Sequence, residues 1–138
     1  MSSHELEEGS RLDLDFHKLQ SIAATKIPVV PAVAQDVDSG EVLVIGYVNR
    51  KALDYALEHR LATFWSTSRN ELWVKGATSG DYLDLMDVRV NCEQNSLLYV
   101  VRMRGKGSCH TKDANGQARF GCFYRRINDE KELEFLDE

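Results

Sequence analysis

Prolines and cysteines are scarce in this 138-residue sequence: two of the former and three of the latter. Three is an odd count, which argues against a disulfide framework. No apolar run approaches the roughly 20 residues needed to cross a bilayer. Residues 1–8 are polar and acidic, with neither the apolar stretch of a secretory leader nor the arginines of a mitochondrial one. There is no basic excess either: 17 Lys and Arg stand against 22 Asp and Glu, a net charge of -5. That balance speaks against a phosphate-tracking nucleic-acid surface or a membrane-binding patch. Internal repeats, low-complexity stretches and interdomain linkers are lacking as well. These absences together predict a cytoplasmic protein of one domain, 1–138, whose loose ends cover about 1–12 and 129–138.

What is present suits a packed core. Hydrophobic residues make up 43% and charged residues 28%, ordinary proportions for a globular domain. Asp13 or Asp15 is suited to cap a short helix reaching Ala24, with Phe16, Leu19 and Ile22 or Ala23 on one face. Val29–Val37 and Glu41–Val48 read as strands joined by the turn Asp38-Ser39-Gly40. Asn49 is a good N-cap for a helix over 50–60 with Ala52, Leu53, Ala56 and Leu57 as its apolar stripe. Further strands are expected at 62–67, 72–75, 85–92, 96–104 and 123–127, with a tight polar turn at 93–95. Residues 105–121 read as a long polar loop with a small hairpin at Asn115-Gly116. The pattern predicts an α+β fold, mainly antiparallel, with two helices.

The chemistry concentrates around Cys92, Cys109 and Cys122. Cysteine spacing alone leaves buried thiols and a metal site equally open. The glycine-containing turns beside Cys109 and Cys122 tilt the choice toward metal, because thiolates at loop mouths are accessible ligands. Zinc favours such soft donors, and three of them leave the fourth position for water, the arrangement that distinguishes catalytic from structural zinc. His110 follows Cys109 directly. Neighbouring residues in extended chain point oppositely, so a proton-shuttle role suits it better than ligation. His4, His17 and His59 lie in the tail or on helices and read as solvated. If 88–92 and 96–104 form a straight hairpin, the second strand carries the chain roughly 25 Å from Cys92. The loop up to Cys109 returns it by at most about 17 Å. A site shared between two subunits removes that difficulty.

A second informative stretch is Trp73-Val-Lys-Gly-Ala-Thr-Ser-Gly80. Lys75, Thr78 and Ser79 between flanking glycines suit a phosphate, and Arg69 just before the stretch adds a second cation.

Taken in order, these segments resemble the phosphoribosyl-AMP cyclohydrolase family, enzymes of histidine biosynthesis that open the adenine ring of phosphoribosyl-AMP. The likeness runs over residues 13–127. It rests on Pro31-Ala-Val-Ala-Gln-Asp36, Gly40-Glu-Val-Leu, Gly46-Tyr-Val-Asn49, Ala52-Leu, Phe64-Trp-Ser-Thr-Ser-Arg69 and Glu71-Leu-Trp-Val-Lys-Gly-Ala-Thr-Ser-Gly80. It continues through Val90-Asn-Cys92, Cys109-His-Thr111 and Cys122-Phe-Tyr-Arg125. The resemblance implies an intertwined homodimer whose zinc is held by Cys92, Cys109 and Cys122 from both subunits, with His110 transferring protons. It also implies substrate binding by Arg69, Trp73, Lys75, Thr78 and Ser79. The implied reaction is hydrolysis: water attacks C6 of the N1-alkylated adenine and the N1–C6 bond breaks.

One departure bears on a second metal. The family usually surrounds its first cysteine with aspartates, as Asp-Cys-Asp-x-Asp, which bind magnesium. Here the run is Asn91-Cys92-Glu93-Gln94-Asn95, with one carboxylate left. Magnesium at Asn91, Glu93 and Asn95 is therefore expected to bind weakly, or only with substrate phosphate. The loop from Cys109 to Cys122 is also longer than in the compact family form, a change that costs little. Two other readings stand beside the family activity. One is a zinc hydrolase of the same fold acting on another phosphorylated purine-like ring, motivated by the altered magnesium positions. The other is a non-catalytic zinc-stabilised dimer module, against which the complete cysteine set and His110 argue.

Overall fold

A computed structural model describes residues 3–136. The central element is a four-stranded sheet in the order β2-β1-β6-β5, made of β1 (Val30–Asp36), β2 (Val42–Val48), β5 (Leu83–Val90) and β6 (Leu97–Met103). Pairing of β1 with β2 and of β5 with β6 is antiparallel, as the tight turns between them predict. The β1–β6 pair is parallel, with Ala32 opposite Leu97 and Asp36 opposite Val101. No local signal announces that pairing, because it joins two hairpins distant in sequence. A second hairpin, β3 (Thr63–Ser66) with β4 (Glu71–Val74), packs beside β2.

The core lies under β1, where Ala32 and Ala34 are fully buried with Leu43, Phe64, Leu83, Tyr99 and Val101. Small side chains on β1 and β2 make room for large rings. A Cβ on Gly46 would lie 2.5 Å from Cδ1 of Phe64, so glycine is what lets the ring sit on the sheet. Tyr99 is wholly buried, and its hydroxyl donates to the Thr63 carbonyl at 2.9 Å. Helix α3 (Arg50–His59) begins as the sequence predicts, with the Asn49 side chain accepting from the Ala52 amide at 2.9 Å. Ala52 and Ala56 are buried, while Leu57 stays partly outside.

Three departures from the sequence expectation concern the ends and turns. Helix α2 (Lys18–Ala24) starts later than a cap at Asp13 or Asp15 would give, and only Ile22 of its apolar face is buried. Phe16 and Leu19 are exposed, at 82% and 66%. The segments expected to be loose carry structure: a third helix, α1 (Ser3–Glu8), and strand β8 (Leu133–Phe135), paired with β7 (Arg125–Ile127). Finally, the β5–β6 turn occupies residues 91–96 rather than 93–95, because Asn91 Oδ1 accepts from the amides of Asn95 and Ser96 at 2.8 and 3.0 Å. The small hairpin near Asn115-Gly116 forms as expected, with Lys112 bridged to Ala118 and Gly116 at φ +76°. Among the described residues no helix is long and apolar enough to cross a membrane.

Candidate functional site

The segment from Ser108 to Cys122 folds back on itself as a narrow ribbon. Cys109 N donates to Arg119 O at 3.0 Å, and Arg119 N donates to Thr111 O at 3.1 Å. The ribbon alternates: Cys109 and Thr111 are buried and His110 between them faces out, as its extended backbone requires. Gly107 is needed for this closeness, since a Cβ there would meet Ala118 O at 2.1 Å. At the far end Cys122 N donates to Leu43 O at 2.7 Å, which pins the ribbon to the start of β2.

This folding brings Cys109 and Cys122 close enough for each thiol to influence the ionisation of the other. Cys109 Sγ lies also 3.1 Å from Thr111 Oγ1. The Cys122 thiol and the Thr111 hydroxyl together pull the Cys109 thiol down to about 5, against the opposing effect of burial. Its partner Cys122 is pushed up, first by the Cys109 thiol and then by burial, since a second negative charge there is unwelcome. Of the two thiols, Cys109 is the more readily ionised.

Lys75 stands at the edge of this pair. It is 8% exposed, its ammonium lies 5.5 Å from the Trp73 ring centroid, and its charge acts on Cys122. Its backbone amide donates to Ala62 O at 3.1 Å, anchoring the start of the loop 76–80. That loop turns on Gly76, at φ +90°, where a Cβ would meet the Asp81 backbone at 2.4 Å. Thr78 and Ser79 are exposed on it, and Ser79 Oγ accepts from the Asp81 amide. On the other side of Trp73, a groove holds Tyr47, Trp65, Ser66, Arg69 and Lys18. Arg69 there hydrogen-bonds Ser66 Oγ at 3.3 Å and reaches Glu71 at 3.5 Å. Arg69 and Trp73 thus share one groove, and the Lys75 ammonium lies against the Trp73 ring.

Cys92 does not join the thiol pair. It sits exposed in the β5–β6 turn, next to Val90 and Leu97, at the end of the sheet where β1 begins. Cys122 hangs from Leu43 near the opposite end of β2. Strand rise and spacing put these two points on the order of 15–20 Å apart, whereas thiolates on one zinc lie within about 4 Å of each other. Among the described residues, no three His, Cys, Asp or Glu side chains converge in a group able to hold a metal. Around Cys92 the polar side chains serve the turn itself: Asn91 Nδ2 donates to Asn95 Oδ1 at 2.6 Å, and Asn95 Nδ2 donates to Glu93 at 3.1 Å.

Sequence reasoning missed the N-terminal segment. Glu7 contacts His110 Nε2, and Glu8 forms a forked pair with the buried Arg119 at 2.7 and 2.9 Å. Tyr124 OH donates to Glu7 O, and Arg125 donates to the carbonyls of Gly9 and Leu6. The available signal was charge: an acidic run at 5–8 and arginines at 119 and 125.

A pair of thiols, Cys109 buried and Cys122 exposed, on a ribbon at the rim of the sheet of an α+β fold, flanked by a cation and a hydroxyl-bearing loop, defines a protein whose donors suit a soft metal ion and an anionic ligand. The sequence model of phosphoribosyl-AMP cyclohydrolase matches residues 44–124. A phosphoribosyl-AMP cyclohydrolase of Chloroherpeton thalassium is 35% identical over 91% of this chain and 85% of its own length. Another from Ruegeria sp. is 40% identical over 90% of this chain and 91% of its own, and one from Hyphomonas neptunium is 46% identical over 72% and 70%. The chain belongs to the phosphoribosyl-AMP cyclohydrolase family.

Proposed function

We propose that the protein hydrolyses the N1-alkylated adenine ring of phosphoribosyl-AMP, in the histidine pathway, as a zinc-dependent homodimer of the cytoplasm. Water adds at C6 and the N1–C6 bond breaks. The water oxygen becomes the carboxamide oxygen and N1 takes up a proton, giving the formimino carboxamide ribonucleotide. The observation that carries this reading is the Cys109–Cys122 pair in a chain of the cyclohydrolase family.

The donor set fits zinc when a second chain supplies its Cys92, and this fit supports both the metal and the dimer. Exposed apolar side chains on one chain, among them Leu14, Phe16, Leu19, Ile45 and Val90, give such a partner a surface to cover. Zinc held by these thiolates supplies the Lewis acidity that hydrolysis at neutral pH requires. His110, facing out beside Cys109, accepts a proton from the attacking water and delivers one to N1. Lys75, Thr78 and Ser79 bind substrate phosphate, and Arg69 and Trp73 bind from the adjoining groove. Magnesium at Asn91, Glu93 and Asn95 fits poorly while the two amide oxygens are engaged within the turn, so its binding is weak or waits for substrate phosphate.

The test is turnover of phosphoribosyl-AMP by purified, zinc-loaded protein, followed by loss of the purine chromophore. Conversion to the ring-opened ribonucleotide is expected. Zinc-loaded dimers that leave the substrate intact would overturn the reading.

A further inference from the structure

His110 is 75% exposed by its side chain on a ribbon whose inward positions belong to Cys109 and Thr111. Nothing in the ribbon holds its ring: the side chain's hydrogen-bonding partner comes from 103 residues away, at the end of α1. A side chain so exposed samples several rotamers and loses catalytic effectiveness unless something fixes it. The partner is the Glu7 carboxylate, which meets His110 at Nε2.

We propose that Glu7 is a positioning residue for His110, and that α1 is built into this chain to deliver it; the inference rests on the proton-transfer role given to His110 above. An ionised carboxylate only accepts hydrogen bonds. Nε2 must therefore carry the hydrogen, and in the neutral imidazole Nδ1 is left as the accepting nitrogen. The contact thus fixes both ring orientation and tautomer, the service a carboxylate gives to histidines in other catalytic and metal sites. Nδ1 is the atom that takes the water proton.

The anchoring of α1 matches this purpose. Six residues are too few to hold a helix by themselves. Instead the segment is fastened to the thiol ribbon and its continuation from three sides. Glu8 forks onto Arg119, Tyr124 donates to the Glu7 carbonyl at 2.7 Å, and Arg125 donates to Gly9 O and Leu6 O at 2.9 and 2.7 Å. Ser10 O then accepts from the Leu133 amide of β8 at 2.7 Å. These contacts fall on residues 6–10, bracketing Glu7. Arg119 and Tyr124 flank Cys122 in sequence, and Arg119 O accepts from the Cys109 amide, so the elements that set the thiols set Glu7 as well.

A double-mutant cycle of Glu7→Gln and His110→Asn tests the inference, with steady-state kinetics, zinc content and thermal midpoint measured on each zinc-loaded dimer. Glu7→Gln keeps the size and a hydrogen-bonding group but lets the ring adopt either tautomer. It is expected to lower kcat about 10-fold or more with KM, zinc content and midpoint little changed, and to add nothing in the His110→Asn background. Glu7→Asp, with the carboxylate kept on a shorter arm, is expected to recover part of the loss. If His110→Asn impairs kcat and Glu7→Gln does not, Glu7 has no positioning role, while the function of His110 stands. If Glu7→Gln is equally harmful with and without His110, its effect is structural and the inference is wrong. If His110→Asn is itself harmless, the role given to His110 fails and the inference fails with it.

Discussion

Lys75 is a cation nine-tenths removed from solvent, held over the face of Trp73, with no carboxylate in contact among the described residues. A buried ammonium of this kind is costly unless an anion arrives. The phosphate proposed to bind at the 76–80 loop would be such an anion. Replacing Lys75 by Met keeps the volume and removes the charge. The expected loss in kcat/KM is about 10- to 100-fold, the range for losing one charge-assisted hydrogen bond of about 1.5–3 kcal/mol. Zinc content and fold should be retained, which metal analysis and circular dichroism check; unaltered kinetics would remove Lys75 from the site. Gly46 represents the opposite kind of residue, one that matters by what it omits. Gly46→Ala drives a methyl to 2.5 Å from the Phe64 ring, and overpacking of this sort costs roughly 1–3 kcal/mol. A lower denaturant midpoint with an unchanged slope is the expected result, and an unchanged midpoint would mean that Phe64 moves aside freely.

The β5–β6 turn shows how one element answers a local and a distant demand. Asn91 and Asn95 close it with amide hydrogen bonds that a pair of aspartates would exchange for mutual repulsion. The double variant Asn91→Asp, Asn95→Asp is expected to tighten magnesium binding and to lower the magnesium concentration giving half-maximal activity. Titration calorimetry with and without a substrate analogue reads the first, and assays across magnesium concentrations the second. No change in either would leave the segment as a turn only. The legibility of the elements follows the range of the forces that make them. The Asn49 cap, the turn 38–40 and the two strands it joins are local, and the structure bears them out. The parallel β1–β6 pair, α1 and β8 depend on contacts across the whole chain and left no pattern in their own residues. The face expected from Phe16, Leu19 and Ile22 does not form as one: Phe16 precedes the helix, Leu19 is exposed and only Ile22 is buried. In the site, the ribbon's alternation of Cys109, His110 and Thr111 was readable, whereas Glu7 was hidden in an acidic tail whose meaning appears only with Arg119 and Arg125 opposite.

At the scale of the molecule, the sheet keeps the cysteines apart. Cys92 belongs to one end and the Cys109–Cys122 pair hangs near the other, an arrangement no side-chain rotation can bridge. Chains carrying Cys92→Ala and chains carrying Cys109→Ala should each be inactive alone. Refolded together they are expected to regain up to about half of the wild-type activity per mixed dimer, because one of its two composite sites is intact. Mixed dimers confirmed by mass and still inactive would count against sites made from two chains.

The separation of Cys92 from its two fellow thiols has a kinetic meaning beyond geometry. With the zinc shared between two chains, as proposed, a single chain could not complete its own ligand set and would have two sites as a pair and none when alone. The rate would then scale with the square of the chain concentration under strong dilution and become linear only where association is complete. Newly made chains would be silent until they meet, and metal would act as a latch on the encounter, since ligands reaching across from both partners must be released before the two can part.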